Sequence, residues 1–339
     1  MQSTNRAPSP ESAFSLERVH MRQQQHDTAA MIREGLRASP KYLEPYLFYD
    51  QRGSELFEQI CGVDEYYVTR TERAILEANA GAIADGWTTE TTVFELGSGS
   101  SEKSEVLLTE AMKRLGHLRY VPNDISESAL RGAAERLTDR LPGLEVRALV
   151  AEFDAAVDAI TSRFEAPRYG VFLGGNIGNF DASGAHDFLA RVRETLDASD
   201  RFLCGFDLVK SLDVLLPAYD DAAGVTAAFN LNALVRMNRE YGASFDLERF
   251  RHRAIWNPEL SRVEMHLESL TDQVVSIPGL DLRVNLARGE TIHTENSHKY
   301  TPERIDALAR SSGFEVSRRF VDGAQLFTLC ELRPVANGS

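Results

Sequence analysis

Cysteine is scarce in this sequence, and long apolar runs are missing. The three cysteines, Cys61, Cys204 and Cys330, lie far apart and include no CxxC pair, which indicates reduced thiols in a cytoplasmic protein. The longest stretch without a charged residue spans residues 222–235, whereas a membrane-spanning helix needs about 20 apolar residues. The N-terminus has no basic segment followed by an apolar one, so it does not indicate a secretion signal. We therefore expect a cytoplasmic protein without a membrane partner.

Basic residues are also in short supply. The 339 residues include 37 Lys+Arg against 51 Asp+Glu, a formal net charge of −14. A nucleic-acid-binding protein needs a basic surface that displaces counterions, and no Lys/Arg-rich run is present, so we expect no nucleic-acid partner. The eight histidines include no HExxH motif, and His293 and His298 are five positions apart, which does not suit a shared helical face. We therefore predict no metal site.

Strands and helices alternate from about residue 91 onward. Helical patterns separate β-rich runs at residues 92–96, 118–122, 145–150, 169–173 and 201–208. This order predicts an α/β protein whose parallel sheet has helices on both faces. After residue 210 the pattern changes to a long helix over residues 226–240 and to runs at residues 253–256, 262–270 and 280–286, of which the last two favour antiparallel strands. The tail from residue 301 predicts one more helix and a final strand or two that return to the sheet.

The region before the sheet has the pattern of helices. Residues 1–12 contain two prolines and small polar residues, so we predict that they are disordered. Helical periodicity begins near Phe14 and continues to Leu36, where Ser39-Pro40 ends it. Two further helices fit residues 54–60 and 70–84. We expect residues 13–69 and 210–299 to form a second, α+β lobe beside the sheet domain of residues 70–209 and 300–339.

The first strand of the predicted sheet ends in Gly97-Ser98-Gly99, at the edge where α/β sheets bind ligands. Glycine allows both a sharp turn and a close approach by a ligand, although a plain strand-to-helix turn would have the same composition. A dinucleotide fingerprint would have a third glycine where Glu102 stands. Because an acidic residue at a helix start also repels pyrophosphate, the turn favours a cofactor without phosphates, such as S-adenosylmethionine.

Acidic residues follow the next two strands. Asp124 closes the second strand, where its carboxylate could accept hydrogen bonds from two ribose hydroxyls or could cap the next helix. Glu152-Phe153 follow the third strand and could meet an adenine amine and ring. Lys103 could pair with the carboxylate of the cofactor or remain a solvated helix residue. The ordered series of two glycines, Asp and Glu-Phe resembles the cofactor site of class I methyltransferases, and this resemblance implies an S-adenosylmethionine site.

Long motifs lie outside these strand ends. They are Phe48-Tyr49-Asp50, Glu65-Tyr66-Tyr67, Gly174-Gly175-Asn176-Ile177-Gly178-Asn179-Phe180, Tyr219-Asp220-Asp221 and Thr294-Glu295-Asn296-Ser297-His298-Lys299-Tyr300. With the glycine turn, they resemble the histidine-specific Nα-methyltransferases of the ergothioneine pathway over about residues 30–315. The resemblance implies a Rossmann-like class I methyltransferase domain and a separate substrate-binding domain, in the two parts defined above. It also implies S-adenosylmethionine as cofactor and free L-histidine as substrate, and we expect a monomer.

The resemblance implies roles for single residues. The cofactor-binding residues would be Gly97, Gly99, Lys103, Asp124, Glu152 and Phe153. The substrate-binding residues would be Tyr66, Gly174, Asn179, Tyr219, Met265, Glu295, Asn296 and Ser297, with Phe57 shaping the pocket. Tyr49 and Tyr66 would orient the amine without a general base, since a free α-amine titrates near about 8. Glu295 and Ser297, two positions apart on one strand face, would meet the two ring nitrogens of the substrate.

The expected reaction is three successive methylations of the α-amine of histidine, which give hercynine. The chain departs from the family pattern at Gly175-Asn176, where Ser-Thr is usual, and at Glu152, where Asp is usual. The first departure lies close to the expected meeting point of substrate and cofactor. It leaves open a second hypothesis, in which the same fold and cofactor methylate another free amino acid or an N-methylated histidine.

Overall fold

A computed structural model describes residues 13–19 and 28–335. Its strands are β1 (Phe14–Arg18), β2 (Lys41–Tyr42), β3 (Thr92–Leu96), β4 (Leu118–Asp124), β5 (Leu144–Val150), β6 (Arg168–Phe172), β7 (Arg201–Asp207), β8 (Phe250–Asn257), β9 (Arg262–Ser269), β10 (Gln273–Ile277), β11 (Leu282–Leu286), β12 (Thr291–His298), β13 (Phe314–Val321) and β14 (Phe327–Pro334). Its α-helices are α1 (Thr28–Arg37), α2 (Gln51–Cys61), α3 (Tyr67–Ala84), α4 (Glu102–Leu115), α5 (Glu127–Arg140), α6 (Phe153–Arg163), α7 (Ala182–Thr195), α8 (Leu212–Leu215), α9 (Val225–Tyr241) and α10 (Pro302–Ser311). None of these helices is long and apolar enough to cross a membrane.

The larger sheet has eight strands in the order β1-β5-β4-β3-β6-β7-β14-β13. The first six are parallel, and β14 runs antiparallel to both β7 and β13. Consecutive residues Val93 and Phe94 of β3 belong to different buried clusters, because side chains alternate between the faces of a strand. One cluster includes α3, α4 and α5, and the other includes α6, α7 and α10. The predicted α/β fold with helices on both faces is confirmed.

A smaller sheet has the order β2-β12-β9-β8, and β10 and β11 form a separate antiparallel pair. The inner residues of β9, which include Met265 and Leu267, join one buried cluster with Phe229 and Met237 of α9. The antiparallel strands predicted for residues 262–270 and 280–286 are present, within a few residues of the expected bounds. Strand β10 lies between them, and we did not predict it.

The helix predicted from near Phe14 to Leu36 is wrong at its start, whereas its second half is present as α1. Residues 14–18 are β1, which pairs with β5 from Phe14 opposite Val146 to Arg18 opposite Val150. Phe14 and Leu16 are half-buried while Ser15 and Glu17 are exposed, the two-residue period of an edge strand. β1 thus lies in the larger sheet although residues 13–69 were assigned to the other lobe. Otherwise the division into two domains stays a prediction, and residues 1–12 lie outside the described part.

Candidate active site

The glycine turn after β3 has the backbone geometry that only glycine adopts readily. Gly97 has φ +68° and Gly99 has φ +50°, in the left-handed region that is costly for other residues. A Cβ on Gly97 would lie 3.4 Å from the ring of Phe153, whereas a Cβ on Gly99 would meet nothing within 4 Å. Between them, the Ser98 hydroxyl is buried without a hydrogen-bond partner among the described residues. The turn therefore forms an open cradle with Phe153 at one side.

Asp124 is held beside this turn by two backbone groups. Its Oδ2 accepts the N–H of Gly99 at 2.9 Å, and its Oδ1 accepts the N–H of Ser126 at 2.8 Å. Ser126, not Asp124, caps α5, so the alternative interpretation of Asp124 as a helix cap is wrong. A carboxylate has about four acceptor positions, and two remain available for the hydroxyls of a ligand.

Glu152 and Phe153 lie where β5 passes into α6. Phe153 is the first residue of that helix, and its ring centroid lies 5.5 Å from that of Phe172 and 5.8 Å from that of Phe188. The ring is half-buried, and the preceding Glu152 is exposed. Phe153 therefore extends the aromatic core to the edge of the glycine turn, with a carboxylate directly before it.

Lys103 makes an ion pair that we did not predict. Its Nζ lies 2.5 Å from Oε2 of Glu72, a residue of α3 that is fully buried. The same carboxylate accepts the backbone N–H of Gly174 at 2.8 and 2.9 Å. Glu72 thus joins α3, α4 and the loop after β6. The available signal was an acidic residue on the apolar face of a helix, between the buried Val68 and Ile75.

The loop after β6 contacts both the glycine turn and the smaller sheet. A Cβ on Gly97 would lie 3.8 Å from the amide of Asn176, and one on Gly174, at φ +84°, would lie 3.3 Å from it. At the other end of the loop, a Cβ on Gly178 would lie 2.7 Å from the carbonyl of His298 in β12. Nothing larger than glycine fits that contact, so β12 is held directly against the loop.

Strand β12 carries Glu295 and Ser297 on one face, as predicted. Glu295 lies opposite Met265 of β9, which is 2% exposed, and Ser297 lies opposite Val263. Asn296 alternates to the other face, so the structure does not bring its side chain together with Glu295 and Ser297. Asn179, at the end of the short 3-10 helix Asn176–Asn179, is exposed.

Aromatic rings from several segments meet near Glu295. Tyr66 lies 6.4 Å from Phe57 and 6.4 Å from Tyr219, and Tyr49 lies 6.0 Å from Phe57, between ring centroids. Burial raises the pKa of the Tyr66 phenol well above its usual range. The pKa of Tyr49 is also raised, by loss of water around its phenol and by nearby charges that include Glu295, although 38% of the residue's surface is exposed. Both phenols therefore keep their protons at neutral pH.

Glu295 is an acidic group without a partner. Its carboxylate makes no hydrogen bond to the part of the chain that the structure describes. Burial raises its pKa from 4.5 to about 7, against a lowering by the charge of Lys299. The residue is half-buried, and even partial removal of a carboxylate from water without a hydrogen bond is costly. Acidic groups with such raised pKa values are enriched at functional sites. Glu295 is therefore poised to receive a hydrogen-bond donor from a ligand.

Lys299 is a second residue of the candidate site that we did not predict. Its side chain is fully buried, and its Nζ lies 2.6 Å from Oδ2 of Asp207 at the end of β7. It also lies 2.7 Å from the hydroxyl of Tyr219 and 2.7 Å from that of Ser297. The two hydroxyls are 2.7 Å apart. A buried ammonium thus organises two residues that we predicted to bind the substrate.

Residues 27–334 match the family of histidine-specific, S-adenosylmethionine-dependent methyltransferases. The chain belongs to this family. It is 42% identical over 299 residues to the histidine N-alpha-methyltransferase of Mycolicibacterium smegmatis, covering 88% of this chain and 92% of that protein. It is 40% identical over 303 residues to the Mycobacterium tuberculosis protein of the same name, with the same two coverages. It is also 29% identical over 285 residues to ergothioneine biosynthesis protein 1 of Neurospora crassa, covering 81% of this chain and 31% of that protein.

The predicted family, enzyme class and cofactor are therefore confirmed: this is an S-adenosylmethionine-dependent methyltransferase. The residues at the glycine turn fit a nucleoside without phosphates. A side chain on Gly97 would intrude on the cradle. Asp124 has free acceptor positions, and, among the described residues, the two cations beside the turn are each paired with a carboxylate. Lys103 pairs with Glu72. Arg136, which donates to the Ser100 carbonyl, pairs with Glu105. These pairings favour a neutral or zwitterionic ligand over a pyrophosphate.

The outer face of the methyltransferase's smaller sheet holds a histidine cluster that spacing along the chain could not reveal. His293 stacks on His266 across two strands, with ring centroids 4.8 Å apart, and one ligand atom from each of these and from Glu264 lies within 4.8 Å of the others. Arg262 already pairs with Glu264, and Asn257 donates to the same oxygen. These contacts lower the pKa of Glu264 to about 2 despite its burial. They satisfy the carboxylate without a metal, and the absence of a metal site stays a prediction.

Proposed function

We propose that this methyltransferase transfers three methyl groups in succession to the α-amino nitrogen of L-histidine and so produces hercynine, an intermediate of ergothioneine formation. The loop after β6 carries this proposal. It contacts the glycine turn through Asn176 and the strand of Glu295 through Gly178, so a cofactor and an amino acid would meet beside it. The names of the mycobacterial relatives support histidine as substrate, and that of the Neurospora crassa protein supports the pathway.

The residues around the glycine turn would bind the cofactor. S-adenosylmethionine supplies a methyl group activated by a positively charged sulfur. Gly97 and Gly99 leave space for the nucleoside, and Asp124 accepts hydrogen bonds from ribose hydroxyls. Glu152 and Phe153 hold the adenine, with the carboxylate at its amine and the ring at its face. Lys103 remains paired with Glu72 and lies beside the amino-acid part of the cofactor.

On the substrate side, Glu295 and Ser297 hold the imidazole ring. The Glu295 carboxylate accepts the ring N–H, and the hydroxyl meets the other nitrogen. Tyr219 supports that hydroxyl, and Met265 lies opposite Glu295 as an apolar wall. Such a site rejects amino acids without these nitrogens, because its own polar groups would be left unpaired. Tyr66, Gly174 and Asn179 complete the pocket around the backbone of the amino acid, whereas Asn296 contributes no side chain to that face.

In methyl transfer, the residues of this chain align the amine with the methyl group and leave the amine free to lose its proton. Holding two reactants in line can supply several kcal/mol of the barrier. A free α-amine titrates near about 8, so a reactive neutral fraction exists at neutral pH without a general base. Tyr49 and Tyr66 keep their phenol protons and orient the nitrogen by hydrogen bonds. After each of the first two transfers the nitrogen must release a proton to solvent before it can react again.

Asn176 favours a second candidate function. Its amide lies between Gly97 and Gly174, beside the cradle where the reaction would occur, and it brings hydrogen-bonding groups that another amine could use. In this alternative the enzyme methylates another free amino acid or an N-methylated histidine. The cytoplasmic location and the monomeric state stay predictions in either case.

A substrate panel with S-adenosylmethionine, followed by mass spectrometry, tests the proposal. The panel contains L-histidine, its N-methylated forms and other free amino acids. We expect mono-, di- and trimethylated histidine in sequence. Turnover of only another amine, or no turnover of unmethylated histidine, would replace the proposal by the alternative.

A further inference from the structure

All three hydrogens of the Lys299 ammonium are used in hydrogen bonds. An ammonium has three hydrogens. Three oxygens lie within 2.7 Å of the Lys299 Nζ: Oδ2 of Asp207, the hydroxyl of Tyr219 and the hydroxyl of Ser297. One hydrogen therefore goes to each oxygen. Both hydroxyl oxygens accept from Lys299, and neither can donate to it.

Two hydroxyl hydrogens remain to be placed on Tyr219 and Ser297. Because the two oxygens are 2.7 Å apart, one hydroxyl donates to the other. The second hydrogen has no acceptor within residues 13–19 and 28–335. In either arrangement one O–H points away from the ammonium, and Ser297 lies on the strand face of Glu295. If the pair accepted a hydrogen from a ligand, the spare hydroxyl hydrogen would be left without any acceptor in that part of the chain, which is costly. The pair therefore favours donation to a ligand, next to a carboxylate that can accept.

The positive charge of Lys299 is stabilised by Asp207. Asp207 also receives Nζ of Lys210 at 2.5 Å and the hydroxyl of Tyr67 at 2.9 Å. Burial alone would lower the pKa of Lys299, but the charge of Asp207 and the hydrogen bonds to Asp207 and Tyr219 together outweigh burial. The pKa therefore lies above its usual value, and the ammonium stays protonated. The other titratable groups near the hydroxyl pair are Glu295, Tyr49, Tyr66 and His252, whose Nε2 donates to the Tyr219 carbonyl at 2.7 Å.

We infer that Lys299 is a positioning residue that makes the Tyr219–Ser297 pair favour hydrogen-bond donation to the ligand, so that the enzyme binds histidine with a neutral imidazole in preference to the imidazolium. This inference rests on the proposed function, since histidine is the ligand. A neutral imidazole has one N–H for Glu295 and one bare nitrogen for the hydroxyl. An imidazolium has two N–H groups, and one of them would face the donating hydroxyl.

The test compares two ligands by calorimetry, with the enzyme saturated by S-adenosylhomocysteine, at pH 8 and pH 5.5. The ligands are L-histidine and β-(1,2,4-triazol-3-yl)alanine, whose ring has a donor and an acceptor but stays neutral throughout this range. The ratio of their affinities cancels the titration of Glu295 and of the α-amine. At one pH unit below about 6.5, only about one-tenth of imidazole is neutral. For the wild type we therefore expect histidine to lose about tenfold more affinity than the triazole.

Lys299→Met frees both hydroxyl oxygens to accept from an imidazolium. The expected result is a relative loss between pH 8 and pH 5.5 of less than about twofold. Lys299→Gln is a second variant, because its amide oxygen can take the spare hydroxyl hydrogen, and it should behave in the same way. Lys210→Met is the matched control: it removes the other lysine from Asp207 but leaves the hydroxyl pair in place, so the tenfold loss should remain.

The outcomes separate this inference from the proposed function. If the wild type neither binds nor methylates histidine, the proposed function fails. If it does both but binds the two ligands with the same pH dependence, the inference is overturned by the wild type alone. It is also overturned if Lys299→Met or Lys299→Gln, with unchanged affinity for S-adenosylhomocysteine, keeps the tenfold relative loss.

Discussion

Thr294 donates its hydroxyl hydrogen to the backbone carbonyl of Met265, at 3.0 Å, inside a β-bulge of the smaller sheet. Before the bulge, His293 lies opposite His266, and after it Glu295 lies opposite Met265. In a regular strand, residues 293, 295 and 297 would share one face. The extra residue instead sends His293 outward and turns Glu295 and Ser297 toward the candidate site, as bulges beside active sites often do.

Glu295→Ala should weaken histidine binding far more than cofactor binding. A hydrogen bond to a charged group contributes about 1.5–3 kcal/mol, so we expect histidine affinity to fall about tenfold to a hundredfold. Affinity for S-adenosylhomocysteine should change less than about twofold. Calorimetry on both ligands checks this. Glu268→Ala, on the outer face of the same sheet, is the control, and equal losses of both ligands would show that the pocket is misassigned.

Glu295→Gln should change how stability depends on pH in the enzyme without ligands. Burial raises the pKa of Glu295 from 4.5 to about 7, so the folded state holds this proton more tightly than the unfolded state. The stability that Glu295 contributes is therefore full below pH 4.5 and is lost as pH rises through 7. Between pH 5 and 8 the variant should gain up to about 3 kcal/mol relative to the wild type.

Urea unfolding of both proteins at several pH values measures this difference. Glu95, whose pKa burial also raises to about 7, is present in both and cancels. Parallel stability curves for the two proteins would contradict the prediction.

Gly97→Ala should impair cofactor binding more than Gly99→Ala. Both positions have positive φ, so each substitution costs about 1–2 kcal/mol of backbone strain. The new methyl group at position 97 would also lie against Phe153 and near Asn176, whereas at position 99 it would meet nothing. We expect at least a tenfold loss of S-adenosylhomocysteine affinity for Gly97→Ala by calorimetry. A larger loss for Gly99→Ala would place the cofactor on the other side of the turn.

Removal of divalent metals should leave methyl transfer unchanged. The carboxylate of Glu264, in the histidine cluster of the smaller sheet, is already paired with Arg262, and methyl transfer from a sulfonium needs no Lewis acid. We expect the same kcat before and after dialysis against EDTA. If activity fell and one metal restored it, the prediction would be contradicted and the histidine cluster would be the candidate metal site. His266→Ala should then prevent the metal from restoring activity.

The sequence by itself determined the features that depend on neighbouring residues. The glycine turn, the alternating strands and helices, and Asp124 and Glu152 at the strand ends follow from local propensity and from the common edge of parallel strands. The family followed from long collinear motifs. Contacts between residues that are close in the sequence produce a regular spacing of apolar and polar residues, and this spacing can be recognised without a structure.

Only the tertiary structure decided which groups meet across long separations. Glu72 reaches Gly174 across 102 positions, and Lys299 reaches Asp207 across 92. No period or spacing records such pairs, because the folding of whole sheets and helices brings them together. The same holds for β1, which pairs with the edge of the larger sheet although its sequence has a helical pattern. It also holds for the bulge at Thr294, where one extra residue determines the face on which Glu295 lies. The sequence motifs indicate which functional groups are present, and the packing of the sheets and helices determines where each group points.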